Sequence, residues 1–239
     1  MEEEFFRTAM LLGQDGINVL NNAKVIVFGV GGVGSFVTEA LARCGLKRLD
    51  VVDADVVSLS NVNRQIIALH STVGRKKVDV AKERIVDISP DTLVDTYDVF
   101  YEENTKAMFD FSKYDYIVDA IDSMDSKVLL VKEAKASNIP IISALSTGNK
   151  LDPSSFIITD IFKTSVCPIA KIMRKRLRDE NIEKLKVVYS TEPPLPSKLE
   201  VEYDGKRKPI GSISFVPSVV GLMIAGEVIR DLIKNSEIK

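Results

Sequence analysis

The chain has 239 residues with a formal net charge of −2, and 45% of its residues are hydrophobic. That length and apolar content can build a substantial core without disulfides or structural metals. The small net charge excludes binding to nucleic acid through the overall field, so any such contact requires a local basic face. The only cysteines are Cys44 and Cys167. Their number excludes a disulfide framework, and without a CxxC pair we expect no structural zinc.

Two segments bear on targeting and membrane insertion: the N-terminal residues and the nearly uncharged stretch near the C-terminal end. Three glutamates follow Met1, with no basic region leading into an apolar stretch, so the sequence predicts no signal peptide and favours a cytoplasmic location. The nearly uncharged residues 210–226 reach the lower limit for a membrane span, but they contain Pro217 and are followed by Glu227. A buried strand followed by a buried helix is the favoured interpretation, and no stable membrane insertion is expected.

The first predicted elements form a βαβ unit. Residues 24–30 (KVIVFGV) are rich in β-branched residues and end in glycines, which is typical of a buried parallel strand. Residues 35–44 contain good helix formers and stop at Gly45, and residues 49–53 (LDVVD) form a second strand. A right-handed crossover then makes the two strands parallel neighbours in one sheet.

Strands and helices continue to alternate up to residue 145. We predict helices over residues 73–88 and 127–137, and strands over residues 94–100, 116–120 and 139–144. This alternation indicates an α/β fold with a Rossmann-like, doubly wound and mostly parallel sheet.

After Gly148 the pattern changes. The predicted elements are a strand (155–160), a basic helix (169–185), an exposed loop (189–208), a strand (211–215) and a closing helix (218–233). We expect this C-terminal extension to complete the sheet.

A glycine-rich turn lies between the first strand and the first helix. Gly29, Gly31 and Gly34 form a G-x-G-x-x-G motif, which lets helix amides approach a phosphate. Asp53 ends the second strand at roughly the 20-residue spacing of a ribose-binding acid. Together they favour an adenosine nucleotide without separating NAD from ATP, and a tight turn with no ligand is the alternative.

Three charged residues favour a triphosphate. Arg64 can act as a bidentate guanidinium and Lys77 as a point charge, which suits a ligand with more negative charge than a dinucleotide carries. Asp122 follows the fourth strand at the carboxyl edge of the sheet, where it can hold Mg²⁺ beside phosphates. In the alternative interpretation Arg64 and Lys77 are surface charges, and Asp119, Asp122 and Asp125 only cap the next helix.

These motifs together resemble the adenylating domain of ubiquitin-activating enzymes and of their bacterial relatives in thiamin and molybdopterin synthesis. GVGGVG, DADVVSLSNVNRQ, Lys77 and DAID carry this resemblance. Within that superfamily, the ThiF/MoeB/HesA group, the chain is most similar to the tRNA threonylcarbamoyladenosine dehydratases, over nearly its whole length. Arg7-Thr8, NRQIIAL with STVG, the YSTE segment and GSISFVPSVVGLMIAGEVIRDL carry the similarity to this subgroup.

The resemblance implies roles for individual residues. Asp53 holds ribose, Gly31 and Gly32 lie beside the phosphates, and Asp122 binds Mg²⁺. Arg7 reaches the phosphates of the partner subunit in a homodimer. The residues implied to contact ATP are Gly29, Gly31, Gly32, Gly34, Asp53, Asp55, Asn61, Arg64 and Lys77, and those implied to act in catalysis are Arg7, Arg64, Lys77 and Asp122.

The resemblance also implies a reaction. A carboxylate of threonylcarbamoyladenosine in tRNA attacks the α-phosphate of ATP, and internal attack on the acyl adenylate closes a ring, with loss of water overall. Residues 1–150 are then the ATP-binding adenylating region. Residues 151–239 bind substrate and dimerise within the same globular unit. An activator of a small ubiquitin-like sulfur carrier protein remains an alternative, as does an NAD-binding oxidoreductase or a non-catalytic nucleotide-binding module. A sulfur-transfer or redox partner stays unidentified.

The basic helix, the two cysteines and the histidine can each be interpreted as structural or as functional. The basic helix over residues 169–185 is either a solvated face or a contact for the tRNA backbone. Cys44 is interpreted as a small core residue inside a helix. Cys167 replaces an acidic residue of the family pattern, and an inert loop thiol is favoured over a persulfide or acyl carrier. His70, the only histidine, is interpreted as structural.

Overall fold

The computed structural model describes residues 3–200 and 210–237. Its α-helices are α1 (Phe6–Leu20), α2 (Gly34–Ala42), α3 (Lys77–Ile88), α4 (Met124–Ala136), α5 (Pro168–Asp179) and α6 (Phe215–Glu237). Its strands are β1 (Lys24–Phe28), β2 (Arg48–Val52), β3 (Thr96–Tyr97), β4 (Tyr116–Asp119), β5 (Ile141–Ala144), β6 (Phe156–Asp160) and β7 (Lys186–Ser190).

All the strands of the described residues belong to one sheet, in the order β3-β2-β1-β4-β5-β7-β6. Each neighbouring pair is parallel except β6 and β7, which are antiparallel. The order reverses direction at β1, from which the chain winds first to β2 and β3 and then to β4 and β5. The predicted doubly wound α/β fold is therefore confirmed, and β6 and β7 are the C-terminal extension of the sheet.

Helices cover both faces of the sheet. Val25 and Val27 of β1 belong to the core cluster shared with α2, α3 and α6. Ile26 and Phe28 belong to the opposite cluster, shared with α4 and α5. Because both faces are buried, the strand is a continuous apolar run and not an alternating one.

Helix α6 brings the C-terminal end of the chain back to the glycine turn. It packs closely on α2, where a Cβ on Gly221 would lie 2.6 Å from the carbonyl oxygen of Val33. The same approach places Pro217 beside Gly32, since a Cβ on Gly32 would lie 3.2 Å from the Cβ of Pro217. The N-terminal and C-terminal parts of the chain thus meet at one place.

Two predictions for the C-terminal region are wrong. Helix α5 ends at Asp179 and not at residue 185, because Asn181 adopts a left-handed φ of 56° and the Ile182 amide donates to the Leu177 carbonyl at 2.8 Å. Strand β7 then follows where a helix end and an exposed loop were expected. Of that predicted loop, residues 201–208 lie outside the described residues.

The strand predicted over residues 211–215 is also wrong. Residues 211–213 are irregular, and Phe215 opens α6. Pro217 fits there because the first turn of a helix needs no amide donor from it. None of the helices within residues 3–200 and 210–237 is long and apolar enough to cross a membrane.

Differences in the N-terminal region are smaller. Helix α1 was not predicted. Helix α3 begins at Lys77, four residues later than expected, and the third strand is reduced to Thr96–Tyr97. Helix α4 begins at Met124, where Ser123 accepts a hydrogen bond from the Ser126 amide.

Candidate nucleotide-binding site

A cleft of about 1040 Å³ lies at the carboxyl edge of the parallel strands. Open α/β sheets bind ligands at this edge, where the strand order reverses. The segments that line the cleft follow β1, β2, β3, β4 and β5, and the start of α6 closes it. The predicted residues that line it are Gly29, Gly31, Gly32, Asp53, Asp55, Asn61, Arg64, Lys77 and Asp122.

The glycines of the turn have two different roles. A Cβ on Gly29 would lie 2.6 Å from the carbonyl oxygen of Ala120, and one on Gly34 would lie 1.8 Å from the carbonyl oxygen of Gly29. Gly29 therefore lets the turn approach the end of β4, and Gly34 lets α2 approach the turn. Gly34 does not line the cleft. Gly31 has open space, with its nearest neighbour 3.8 Å from an added Cβ. The backbone at Gly31 is therefore the part that a phosphate can approach.

Asp53 is held rigidly at the end of β2. Its Oδ2 accepts from the Val30 amide at 2.7 Å, and its Oδ1 accepts from the Asp55 amide at 2.9 Å. Each carboxylate oxygen has a second lone pair, so the group can still accept hydrogen bonds from ribose hydroxyls. The hydrogen bond to Val30 also ties the carboxylate to the glycine turn.

Lys77 opens α3 and points into the cleft. Its side chain is 6% exposed, and its Nζ donates to Asp55 Oδ2 at 2.6 Å and lies 3.5 Å from Asp53 Oδ1. A buried ammonium requires such carboxylate partners, because burial without them is costly. The two carboxylates and the lysine thus form one charged group beside the turn. Lys77 is not a surface charge.

The segment after β2 presents Arg64 to the cleft. Asn61 Oδ1 accepts from the Ser58 amide at 3.0 Å and orders the short turn that precedes Arg64. Arg64 Nη1 donates to the Ser60 carbonyl at 2.7 Å and to Asn63 Oδ1 at 2.9 Å. Because a guanidinium has five N–H donors, it retains others for an anion.

The aspartates after β4 have separate roles. Ser123 caps α4, so none of the three aspartates is its cap. Asp125 Oδ1 lies 2.6 Å from Arg176 Nη1, and Asp119 Oδ1 accepts from Lys127 Nζ at 3.0 Å. Asp122 is exposed and lines the cleft. The capping interpretation of Asp122 is therefore not supported.

Lys127 is a functional candidate that the sequence analysis missed. Its side chain is 5% exposed, lines the cleft, and donates from Nζ to Asp119 Oδ1 and, at 2.7 Å, to the Ala144 carbonyl. Asp119 Oδ2 has no hydrogen-bond partner among the described residues. In the sequence Lys127 marks only the start of the helix that follows the DAID segment, and the local pattern does not indicate that its side chain is buried.

Gln65 lies in the NRQ motif, but the sequence predicts no role for it. It is 6% exposed and lines the cleft, and its Nε2 would lie 3.8 Å from a Cβ on Gly31. Its Oε1 has no hydrogen-bond partner among the described residues. A buried amide oxygen without a partner is costly, which marks Gln65 as a group suited to a ligand or an ordered water.

One wall of the cleft is apolar and aromatic. Val99, Phe100 and Tyr101 line it, together with Phe28 at the end of β1. Burial raises the pKa of the Tyr101 phenol, so the side chain stays neutral. Such a wall is suited to a flat heterocycle, while the glycine turn at the other side is suited to phosphate.

The loop after β5 joins the cleft to the C-terminal region. Asn149 donates from its amide to the Gly211 carbonyl at 2.8 Å, and its Oδ1 accepts from the Gly211 amide at 2.9 Å. Gly148, Ile210 and Ser212 line the cleft on this side. Residues from both parts of the chain therefore form its rim.

Other predicted residues lie outside the cleft. Arg7 is exposed on α1, near Glu3, Glu4 and Phe6. Cys44 packs against the core but lies two residues beyond the end of α2, which corrects its placement inside the helix. Cys167 immediately precedes α5, and His70 is exposed. Within residues 3–200 and 210–237, no three His, Cys, Asp or Glu side chains are grouped to hold a metal ion.

Known proteins with similar sequences and structures include an enzyme that was crystallised with ATP. The ThiF family model matches residues 5–239. A tRNA threonylcarbamoyladenosine dehydratase of Bacillus subtilis is 44% identical over 249 residues, covering 100% of this chain and 98% of the relative. The crystal structure of the Escherichia coli tRNA N6-threonylcarbamoyladenosine dehydratase with AMP is similar with a TM-score of 0.91 and 31% identity, covering 99% and 96% of the two chains. The same enzyme with ATP gives a TM-score of 0.89, also at 31% identity, with the same shares of the two chains covered.

Proposed function

Because the chain belongs to the ThiF family, we propose that it is an ATP-dependent dehydratase that acts on threonylcarbamoyladenosine in tRNA. The observation that carries this proposal is the grouping of Asp53, Arg64, Lys77 and Asp122 around an open glycine turn. The Bacillus subtilis relative with this name aligns with 100% of the chain, and the Escherichia coli enzyme with this name was crystallised with ATP and with AMP. A dinucleotide dehydrogenase has no need of this set of charges together.

The residues of the cleft suit adenylation. The substrate carboxylate attacks the α-phosphorus of ATP, and the bond from that phosphorus to pyrophosphate breaks. An internal nucleophile of the substrate then attacks the acyl carbon, loses its proton, and displaces AMP. The substrate oxygen leaves as part of AMP, and the two protons of the lost water are released, one from the carboxyl group and one from the internal nucleophile. Such a reaction needs positioned charge and no protein nucleophile, in keeping with the position of Cys44 and Cys167 outside the cleft lining.

Each cleft residue has a role in this proposal. Asp53 accepts the ribose hydroxyls, and Arg64 and Lys77 neutralise the phosphates, with Asn61 ordering the segment that presents Arg64. Asp122 fits Mg²⁺, because this ion is commonly held by one or two carboxylates plus substrate phosphates. When bound there, Mg²⁺ supplies charge neutralisation on the pyrophosphate that leaves.

We propose that the protein works as a homodimer in the cytoplasm, where tRNA is modified. Arg7 lies outside the cleft of its own subunit, and α1 exposes Phe6, Met10 and Leu11 beside it. An exposed apolar helix face of this kind suits an interface. If Arg7 serves the partner's cleft, mixed dimers of Arg7→Ala and Lys77→Met subunits regain activity that neither variant has alone. Equal inactivity of the mixture would remove Arg7 from a role across the dimer.

The main test is mass spectrometry of tRNA nucleosides after incubation with the protein, ATP and Mg²⁺. We expect the modified nucleoside to lose the mass of one water, with one AMP formed per nucleoside. Matched reactions with unmodified tRNA or with excess EDTA should give neither product. The alternative activator of a sulfur carrier makes a different prediction, since labelled pyrophosphate would then exchange into ATP only with a small protein that ends in Gly-Gly. That result would overturn the proposal.

A further inference from the structure

Helix α5 has one buried face and one strongly basic face. Ala170, Met173 and Leu177 are fully buried in the core cluster that also contains residues of α4. The basic residues on the outer side are Lys171, Arg174, Lys175 and Arg178. At about 100° of rotation per residue, these four side chains fall within an arc of roughly 100° and extend over about 10 Å of helix. We call this set the α5 basic face.

The α5 basic face combines two fixed arginines with two exposed lysines. Arg174 Nη1 donates to the Thr164 carbonyl at 3.1 Å, and the Arg178 guanidinium lies 5.2 Å from the centre of the Phe162 ring. These contacts fix the orientation of the two guanidinium planes, and each guanidinium keeps further N–H donors for a ligand. Lys171 and Lys175 are exposed, and within residues 3–200 and 210–237 neither forms an ion pair.

The N-terminal end of α5, which carries the basic face, borders the nucleotide cleft. Ile169, in the first turn of α5, lines the cleft, and so do Met124 and Ser126 at the start of α4. Arg176 joins the two helices through its ion pair with Asp125. A polymer with one residue in the cleft can therefore place its neighbouring residues along α5.

We infer that the α5 basic face is the docking surface for the RNA backbone next to the nucleoside in the cleft. This inference rests on the proposed function, and it assigns the location of the substrate polymer. Guanidinium planes and ammonium groups match phosphates in charge and in donor geometry. The contacts are to the backbone, so the face holds the RNA without reading its sequence.

Two other occupants are less compatible with the helix. A helix that lies on a membrane inserts its apolar side, but in α5 that side is buried in the core. A stable protein interface contains aromatic or aliphatic anchors at its centre, whereas Ile172 and Val166 are the large apolar side chains exposed here. A polyanion is the occupant that the charge favours.

The test uses the double variant Lys171→Gln/Lys175→Gln in the full chain. We expect the KM for modified tRNA to rise about tenfold, as two exposed charge contacts are lost, with kcat at saturating tRNA retained. The slope of log KM against log salt concentration should fall by about 1.5, because two fewer counterions are released. A control variant, Lys82→Gln/Lys234→Gln, removes the same charge from exposed positions of α3 and α6 that do not line the cleft.

The outcomes separate this inference from the proposed function. If the unaltered protein causes no loss of water from tRNA, the proposed function itself fails. If it is active but the α5 variant keeps its KM and salt slope, the docking surface is wrong. An equal rise of KM in the control variant would mean a general field effect and would also overturn the inference. So would an equal rise with the free modified nucleoside as substrate, because that effect would lie inside the cleft.

Discussion

Two sets of cations lie near the nucleotide cleft, and they differ in their surroundings. Lys77 and Lys127 have nearly buried side chains, and each donates to a carboxylate. Lys171 and Lys175 on α5 are exposed to solvent. Buried ammonium groups hold one position and act through a medium of low polarity, while exposed ones are mobile and screened by salt. The first set is suited to catalysis on phosphates and the second to holding a polymer.

The difference teaches that a count of basic residues does not identify a phosphate site. The α5 basic face contains more cations than the cleft, yet the two cleft lysines are fixed by Asp53, Asp55 and Asp119, and the two α5 lysines have no such carboxylate partners. Fixed charges need no rearrangement as charge develops in a transition state, and this gives them most of their effect. We expect single substitutions in the cleft to have larger effects than those on α5.

Lys77→Met tests the comparison with the largest expected effect. Removing a buried cation that neutralises phosphate charge should lower kcat/KM for ATP by about 10⁴-fold, which is the scale of charge stabilisation in phosphoryl transfer. The measurement is AMP release with saturating modified tRNA. Folding is checked in the same samples by thermal unfolding, because Asp53 and Asp55 lose a partner.

Lys76→Met is the matched control for this experiment. Lys76 immediately precedes Lys77, but its side chain is 54% exposed and pairs with Asp98 on the surface. We expect its kcat/KM to stay within about threefold of the unaltered protein, as is usual for exposed ion pairs. Similar losses in both variants would contradict the distinction between fixed and exposed cations.

The first half of the chain could be predicted well because its signals are local. Strand β1 is an apolar run after Lys24, β2 is buried from Leu49 to Val52, and the turn after β1 requires glycine at Gly29 and Gly34 for close packing. These features depend on residues that are close together in the sequence, so the sequence predicts them. Helix α1 had no comparable motif, and it was missed.

Strand β7 could not be predicted, because its extended conformation depends on pairing with strands that are distant in the sequence. Its five residues directly follow a charged segment that continues the pattern of α5. It becomes a strand through parallel pairing with β5 and antiparallel pairing with β6. The false strand over residues 211–215 has the converse cause, since this short segment leads into α6 without a partner strand among the described elements.

The sequence predicted only part of the cleft lining, because motifs indicate residue types and positions but not burial. Asp53, Asp55 and Asp122 follow strand ends. Arg64 lies between β2 and α3, and Lys77 opens α3. The structure brings all five to one cleft. The motifs do not show burial. Lys127 and Gln65 therefore carried no signal in the sequence, although each is a nearly buried polar side chain in the cleft lining.

Lys127→Met compares buried and exposed lysines by their contribution to stability, and its expected effect is smaller than that of Lys77→Met on activity. The variant leaves the buried carboxylate of Asp119 without its ammonium partner, so the free energy of unfolding should fall by about 3 kcal/mol. Adding Asp119→Asn removes the buried charge and should restore more than half of that loss. Lys171→Met, the same change on α5, should alter stability by less than about 0.5 kcal/mol. Denaturant unfolding measures all four proteins, and a Lys127→Met variant that keeps full stability but no longer binds ATP would make Lys127 a ligand of the nucleotide and not a partner of Asp119.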